Sequence, residues 1–211
     1  VRGLVLKASP RRDGNSALLA DAAAAGVREA GHEVTVLHLD DFVEGMLRDC
    51  RTCRHDDGAC GIPDGYERLL TEHLVPADAL VLATPLYWYG MSARLKSTVD
   101  RLFCFMSEDH PGSAAVLAGL PGKRVAVLIA CEESYRGATL GLQGQFQELT
   151  RYLRQDLVGV VVGIGNSRGD VRHDPGDPLR AAADLGRRLF DLRITDYRFD
   201  TPRDNAVWSA G

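Results

Sequence analysis

The sequence predicts one α/β domain built on a doubly wound, five-stranded parallel sheet, and three observations carry that expectation. Five short runs of aliphatic and β-branched residues recur, at 4–8, 33–39, 79–84, 124–131 and 157–164. Segments with apolar residues at helical spacing lie between them. Strands and helices that alternate in this way pair in parallel through right-handed crossovers.

The elements follow in order. The first, third, fourth and fifth runs are almost continuously apolar, as strands covered by helices on both faces are. The second alternates, Glu33-Val34-Thr35-Val36-Leu37-His38-Leu39, as an edge strand does. Residues 16–30, rich in Ala and Leu, predict a helix that stops at Gly31. Over 93–106, Leu95, Val99, Leu102 and Phe103 share one helical face. The pattern returns over 142–153 and 178–192, the latter with Asp177 as N-cap and Pro178 at the first helical position. Residues 40–66 break the rhythm and read as a surface insertion within a domain of residues 1–200. Residues 201–211 read as a C-terminal tail.

Composition narrows the function classes. A length of 211 residues suffices for one full core. A net charge of -4 lacks the basic stripe of a nucleic-acid binder. No apolar run reaches bilayer-spanning length, and the apolar start follows no basic n-region. Five cysteines, three of them clustered, make a poor disulfide framework and suit a reducing compartment. A cytoplasmic protein without nucleic-acid or membrane partners is expected. No histidine is placed by the sequence beside a serine or cysteine, so nucleophilic catalysis lacks support.

Two loops carry the chemistry. After the first strand comes Ser9-Pro10-Arg11-Arg12-Asp13-Gly14-Asn15-Ser16, and a helix begins. A terminal phosphate needs several donors converging from one side. Ser9, Asn15 and Ser16 offer side-chain donors, Gly14 lets backbone N–H groups turn inward, and the helix start adds free N–H groups. Arg11 or Arg12 adds charge. The plainer reading is a polar loop with an ordinary cap. The lysine-bearing nucleotide loop and G-x-G-x-x-G are both absent here. After the third strand comes Thr84-Pro85-Leu86-Tyr87-Trp88-Tyr89-Gly90. Three consecutive aromatics cannot all face a core, and at a strand's carboxyl end they border a flat ligand or seal a subunit contact. Lys96, Asp100 and Arg101 read as a solvated helix face with i, i+4 pairing. Gly163-Ile164-Gly165 reads as a turn, lacking the third glycine of a dinucleotide fingerprint.

These two loops, with Ala93-Arg94-Leu95-Lys96-Ser97-Thr98-Val99-Asp100-Arg101, resemble the NAD(P)H-dependent FMN reductase branch of the flavodoxin-like superfamily. The resemblance runs from residue 1 to about residue 105. It implies a flavodoxin-like sheet of order 2-1-3-4-5 with FMN at the switch between the first and third strands. It implies Ser9, Arg11, Asn15 and Ser16 as phosphate contacts and Pro85, Leu86, Tyr87, Trp88 and Tyr89 as ring contacts. A third flavin-facing loop falls at Ala130-Cys131-Glu132-Glu133-Ser134-Tyr135, with Cys131 as its contact. Its two glutamates depart from the small residues of relatives and either face solvent or a substrate amine or repel an anionic reduced flavin. The family implies a homodimer or homotetramer, NADPH or NADH as co-substrate, and a small-molecule electron acceptor. The reaction implied is a ping-pong hydride transfer to a flavin, quinone, nitro or azo compound, or specialised metabolite.

Cys50-x2-Cys53-x6-Cys60 could hold a cluster or zinc, as in the similar iron–sulfur flavoproteins, but Leu47 stands where a fourth cysteine would. Free thiols in a structural loop are the leading expectation, with Cys104 and Cys131 as buried small hydrophobes. The competing functions are an electron-transfer flavoprotein and a flavin-free binding module.

Overall fold

The computed structural model of the protein describes residues 1–192. The strands are β1 (Arg2–Lys7), β2 (Glu33–His38), β3 (Ala79–Pro85), β4 (Arg124–Cys131) and β5 (Asp156–Ile164). They form one parallel sheet of order β2-β1-β3-β4-β5, as expected. The helices are α1 (Asn15–Glu29), a short α2 (Tyr66–Arg68) continued by a π-helical stretch (Leu69–Leu74), α3 (Ala93–Met106), α4 (Ser113–Gly119), α5 (Leu140–Tyr152) and α6 (Pro178–Arg187). The expected tail at 201–211 and the last residues of the expected domain lie outside the described residues.

Alternation along each strand builds two cores. Leu4, Leu6, Leu80, Leu82, Val127 and Ile129 face one side, with Leu95, Phe105 and Phe146 from the helices there. Val5, Val81, Ala83, Ala126 and Leu128 face the other, where α1 and α6 lie. The alanines of α1 allow a close approach. A Cβ on Gly26 would lie 2.0 Å from the Ala183 carbonyl, and one on Gly186 would lie 2.1 Å from the Ala23 carbonyl. The two helices therefore touch through backbone at both glycines.

Several expectations need correction. β5, at the edge as the order 2-1-3-4-5 implied, is only half-buried along most of its length, so its unbroken valines do not mark a strand covered on both faces. Asp177 does precede α6, but its side chain caps nothing and pairs with Arg180 at 2.7 Å instead. The helical stretch from Tyr66 to Leu74 and α4 went unread, because both are too short to show a full apolar period. Gly31 does end α1, in the left-handed region at φ 79°.

The insertion wraps α3 and is fastened by arginines. Arg94 donates to Asp40 at 2.6 Å and to the Val43 carbonyl. Lys96 and Asp100 form the expected exposed pair. Arg101 does not share that solvated face: it is buried, stacked 4.3 Å over Tyr66 and paired with Asp64. Both side chains of that pair are 2% exposed. Asp64 also accepts N–H bonds from Glu44, Gly45 and Tyr66. Burial opposes its ionisation, but Arg101 and the backbone donors outweigh burial and lower the carboxyl to about 2.

Removing one partner strands a buried charge, so Asp64→Asn is expected to lower stability by about 3–5 kcal/mol in urea unfolding. The pair's contribution is complete above the usual 3.8 and fades as pH falls through about 2, because the unfolded carboxyl binds its proton first. The acid limb of the stability–pH curve in that window should flatten in the variant.

Candidate functional site

The order of the sheet places the site. β1 lies between β2 and β3, so the loops leaving β1 and β3 depart on opposite faces and leave a crevice between them. A cavity of about 680 Å³ opens there, at the carboxyl ends of the strands. All ten residues singled out in the sequence line it: Ser9, Arg11, Asn15 and Ser16 at one end, Pro85, Leu86, Tyr87, Trp88 and Tyr89 at the other, and Cys131 between β4 and the next loop.

The loop after β1 is a donor cradle whose parts work differently from expectation. Gly14 is the N-cap of α1 and gives it no side-chain cap, so Asn15 and Ser16 open the helix instead of capping it. The N–H groups of such a first turn have no partner within the helix. Gly14 has an ordinary extended backbone (φ -75°), so its role is not positive φ; a Cβ there would press on the Arg11 Cβ at 3.1 Å. Ser9 Oγ accepts the Arg11 N–H at 3.1 Å, shaping the turn. Arg12 pairs with Asp41 outside the cavity, which leaves Arg11 as the cation lining it.

Asn15 is the main correction. Its amide donates to the Gly165 and Ser167 carbonyls, both at 3.0 Å, and its oxygen accepts the Gly169 N–H at 2.8 Å and the Val171 N–H at 3.4 Å. Both amide hydrogens are thereby committed to the loop after β5. Asn15 ties two loops together, and its side chain has no amide hydrogen left over.

That tie brings in residues the sequence reading missed. Gly165 and Asn166 line the cavity, and the Gly165 N–H donates to the Cys131 carbonyl at 2.8 Å. A Cβ on Gly165 would lie 2.8 Å from the Asn15 amide nitrogen, so the close fit requires glycine. The available signal was positional: in a doubly wound sheet every loop at the carboxyl edge borders the crevice.

The aromatic loop is a tight hairpin. Tyr87 and Gly90 exchange both backbone bonds at 3.0 Å, while Trp88 and Tyr89 at its tip have φ values of 48° and 59°. Two left-handed non-glycine residues in succession store strain of about 1–2 kcal/mol each. The loop holds because its base is fixed. Thr84 Oγ1 accepts the Ser92 N–H at 3.0 Å, and Ser92 Oγ donates to the Ala8 carbonyl at 2.8 Å while accepting the Leu95 N–H at the start of α3. Ser92 thus joins the end of β1 to the loop after β3. Trp88 projects outward, 97% exposed.

Glu132 and Glu133 line the mouth of the cavity. Glu133 accepts from the Tyr89 hydroxyl at 3.4 Å, and a hydrogen bond with Tyr135 raises the Tyr89 phenol above its usual range. Cys131 is buried and its thiol donates to the Glu133 carbonyl at 3.4 Å; burial raises that thiol. The cavity therefore has a cationic, donor-rich end, an aromatic side and an acidic mouth.

The sequence model described as a flavodoxin-like fold matches residues 2–161 of this chain. An iron–sulfur flavoprotein of Methanocaldococcus jannaschii is 33% identical over 192 residues, 89% of this chain and 94% of that protein. A putative NAD(P)H-dependent FMN-containing oxidoreductase of Bacillus subtilis is 27% identical over 184 residues, covering 87% and 96%. Among solved structures, an NAD(P)H:quinone oxidoreductase from Methanothermobacter marburgensis shares the fold with a TM-score of 0.65 and 21% identity, covering 91% and 97%.

Two measurements check these assignments. Asn15→Ala should speed amide hydrogen exchange at Gly169 and Val171; a residue that served only as an anion ligand would leave those amides protected. Trp88→Gly relieves a left-handed backbone and removes a side chain with little contact, so stability in urea should rise by about 1 kcal/mol.

Proposed function

The chain belongs to the flavodoxin-like fold family, and on that premise we propose that it is an FMN-dependent oxidoreductase. It takes a hydride from NADPH or NADH and passes it, in ping-pong order, to a flavin, quinone, nitro or azo compound, or a specialised metabolite. One observation carries this reading: a single cavity joins an anion-binding helix start to an aromatic loop at the sheet's switch point. The names of the relatives from M. jannaschii and B. subtilis support it.

The residues present fit FMN. Ser9, Arg11, Ser16 and the Asn15 N–H would hold the phosphate, and Pro85, Leu86, Tyr87, Trp88, Tyr89 and Cys131 would border the ring. When bound, FMN supplies the hydride-accepting centre. The chain supplies position and electrostatics. Arg11 and the start of α1 offset the phosphate charge. Ser92 and Asn15 keep the three loops at fixed separation, which hydride transfer requires. Tyr89, held protonated, remains a donor at the mouth.

An iron–sulfur cluster does not fit. Among the described residues no three His, Cys, Asp or Glu side chains are grouped to hold a metal ion. Leu47 occupies the fourth position of the motif, and the Arg101 guanidinium lies 3.8 Å from the Cys60 sulfur. No step is assigned to such a group.

Among the described residues no helix is long and apolar enough to cross a membrane. A cytoplasmic location is part of the proposal, supported by five free cysteines, as is a homodimer or homotetramer, supported by the exposed Tyr87, Trp88, Tyr89 and Tyr135.

The FMN-loaded protein should lose its yellow absorbance within seconds of anaerobic mixing with NADH or NADPH; colour that survives both nucleotides would end this reading. Ser16→Ala should weaken FMN binding by about 1–3 kcal/mol in a fluorescence titration, because a charged acceptor loses a donor.

A further inference from the structure

The insertion and the end of α3 place four cysteines in one apolar region, although among the described residues no three of them group closely enough to hold a metal ion. Cys50 and Cys104 are 6% and 1% exposed and belong to one buried cluster, against which Cys53 and Cys60 pack. Cys50 is a neighbour that helps raise the thiols of both Cys53 and Cys104. The backbone explains the first of these relations. The Asp49 carbonyl accepts the N–H groups of Thr52 and Cys53 at 2.9 and 3.0 Å, a single helical turn that puts Cys50 and Cys53 on the same side. Arg54 anchors the turn to α3, donating to the Cys104 carbonyl at 3.3 Å.

The four thiols differ in access and setting. Cys53 is half-exposed, whereas Cys50 and Cys104 are closed off from solvent. Cys60 is half-exposed but is engaged by Arg101. Arg51 is tied to Asp49 and Arg54 to Asp109, and Arg48 only partly offsets the burial that raises the Cys53 thiol.

We propose that Cys50 and Cys53 form a redox-active dithiol, a modification site at which a hydroperoxide oxidises Cys53 and Cys50 resolves it to a Cys50–Cys53 disulfide. The Cys53 sulfur gives its proton to solvent and attacks one peroxide oxygen. The O–O bond breaks, the departing hydroxide takes a proton to become water, and Cys53 carries a sulfenic acid. The Cys50 sulfur then attacks the Cys53 sulfur. The S–S bond forms, the S–O bond breaks, and hydroxide leaves with the Cys50 proton as a second water. Two thiols lose two electrons and two protons, and one hydrogen peroxide becomes two waters. Burial and the adjacent Cys50 raise the Cys53 thiol, so the site answers sustained oxidant slowly and is no rapid peroxidase. This proposal stands on the thiol geometry and not on the flavin reading.

The sequence makes the test direct. Trypsin cuts after Arg48, Arg51 and Arg54, so Cys50 and Cys53 fall on separate tripeptides, and Cys104 on a third peptide. The full FMN-loaded chain, purified anaerobically with reductant, is treated with hydrogen peroxide, capped with a maleimide and digested. The expected product is Asp49-Cys50-Arg51 disulfide-linked to Thr52-Cys53-Arg54, with two fewer titratable thiols than the five of the reduced chain and full reversal by dithiothreitol. In Cys50→Ser, Cys53 should stop at a sulfenic acid that dimedone captures. A Cys50–Cys104 link, irreversible oxidation of Cys53 with Cys50 still free, or iron and sulfide in the purified chain would each overturn the proposal.

Discussion

The reversal of winding at β1 is the constraint from which the rest follows. With β2 on one side and β3 on the other, the loops at its carboxyl edge must part, and the gap they leave is unfilled by backbone. A gap of this kind serves as a site only if its walls keep their spacing. Two polar residues do that, Ser92 buried and Asn15 half-buried. Ser92 holds the β3 loop to the first residue after β1, and Asn15 holds the start of α1 to the loop after β5. Each satisfies backbone groups that lack other partners there, so loop positions are set by hydrogen-bond accounting as much as by apolar packing.

Rigidity at the base permits strain at the tip. The Tyr87–Gly90 hairpin uses aromatics where glycine or asparagine would be more comfortable. A segment anchored by Thr84 and Ser92 at its base can keep such a conformation. The loop after β1 shows the opposite economy: it is relaxed, and its glycine serves space and not conformation. The donor end is thus shaped by close fit and the aromatic end by strain.

Much of this was legible in the sequence. Strand positions follow from unbroken aliphatic runs, and both chemical loops were recognisable because phosphates and flat rings demand unusual local composition. The ten residues assigned from sequence line one cavity, since strand ends bring their loops together wherever they fall in the chain. What escaped was long-range pairing. Nothing near Asn15 reveals that its amide is spent on the β5 loop, and nothing near Arg101 distinguishes a buried pair with Asp64 from a solvated one. Cys104 read as a small hydrophobe because its thiol neighbours come from a distant insertion. The partial cover of β5 was hidden for a related reason: an unbroken aliphatic run does not record how fully helices cover it.

The reach of the Asn15 contacts has a bearing on how the site is assembled. The partners of that side chain lie 150 to 156 residues further along, and the helix that begins with it rests its backbone on α6. A chain cut before α6 would carry the motif without the partners that orient it, so the loop after β1 takes its shape only once the loop after β5 and α6 are in place.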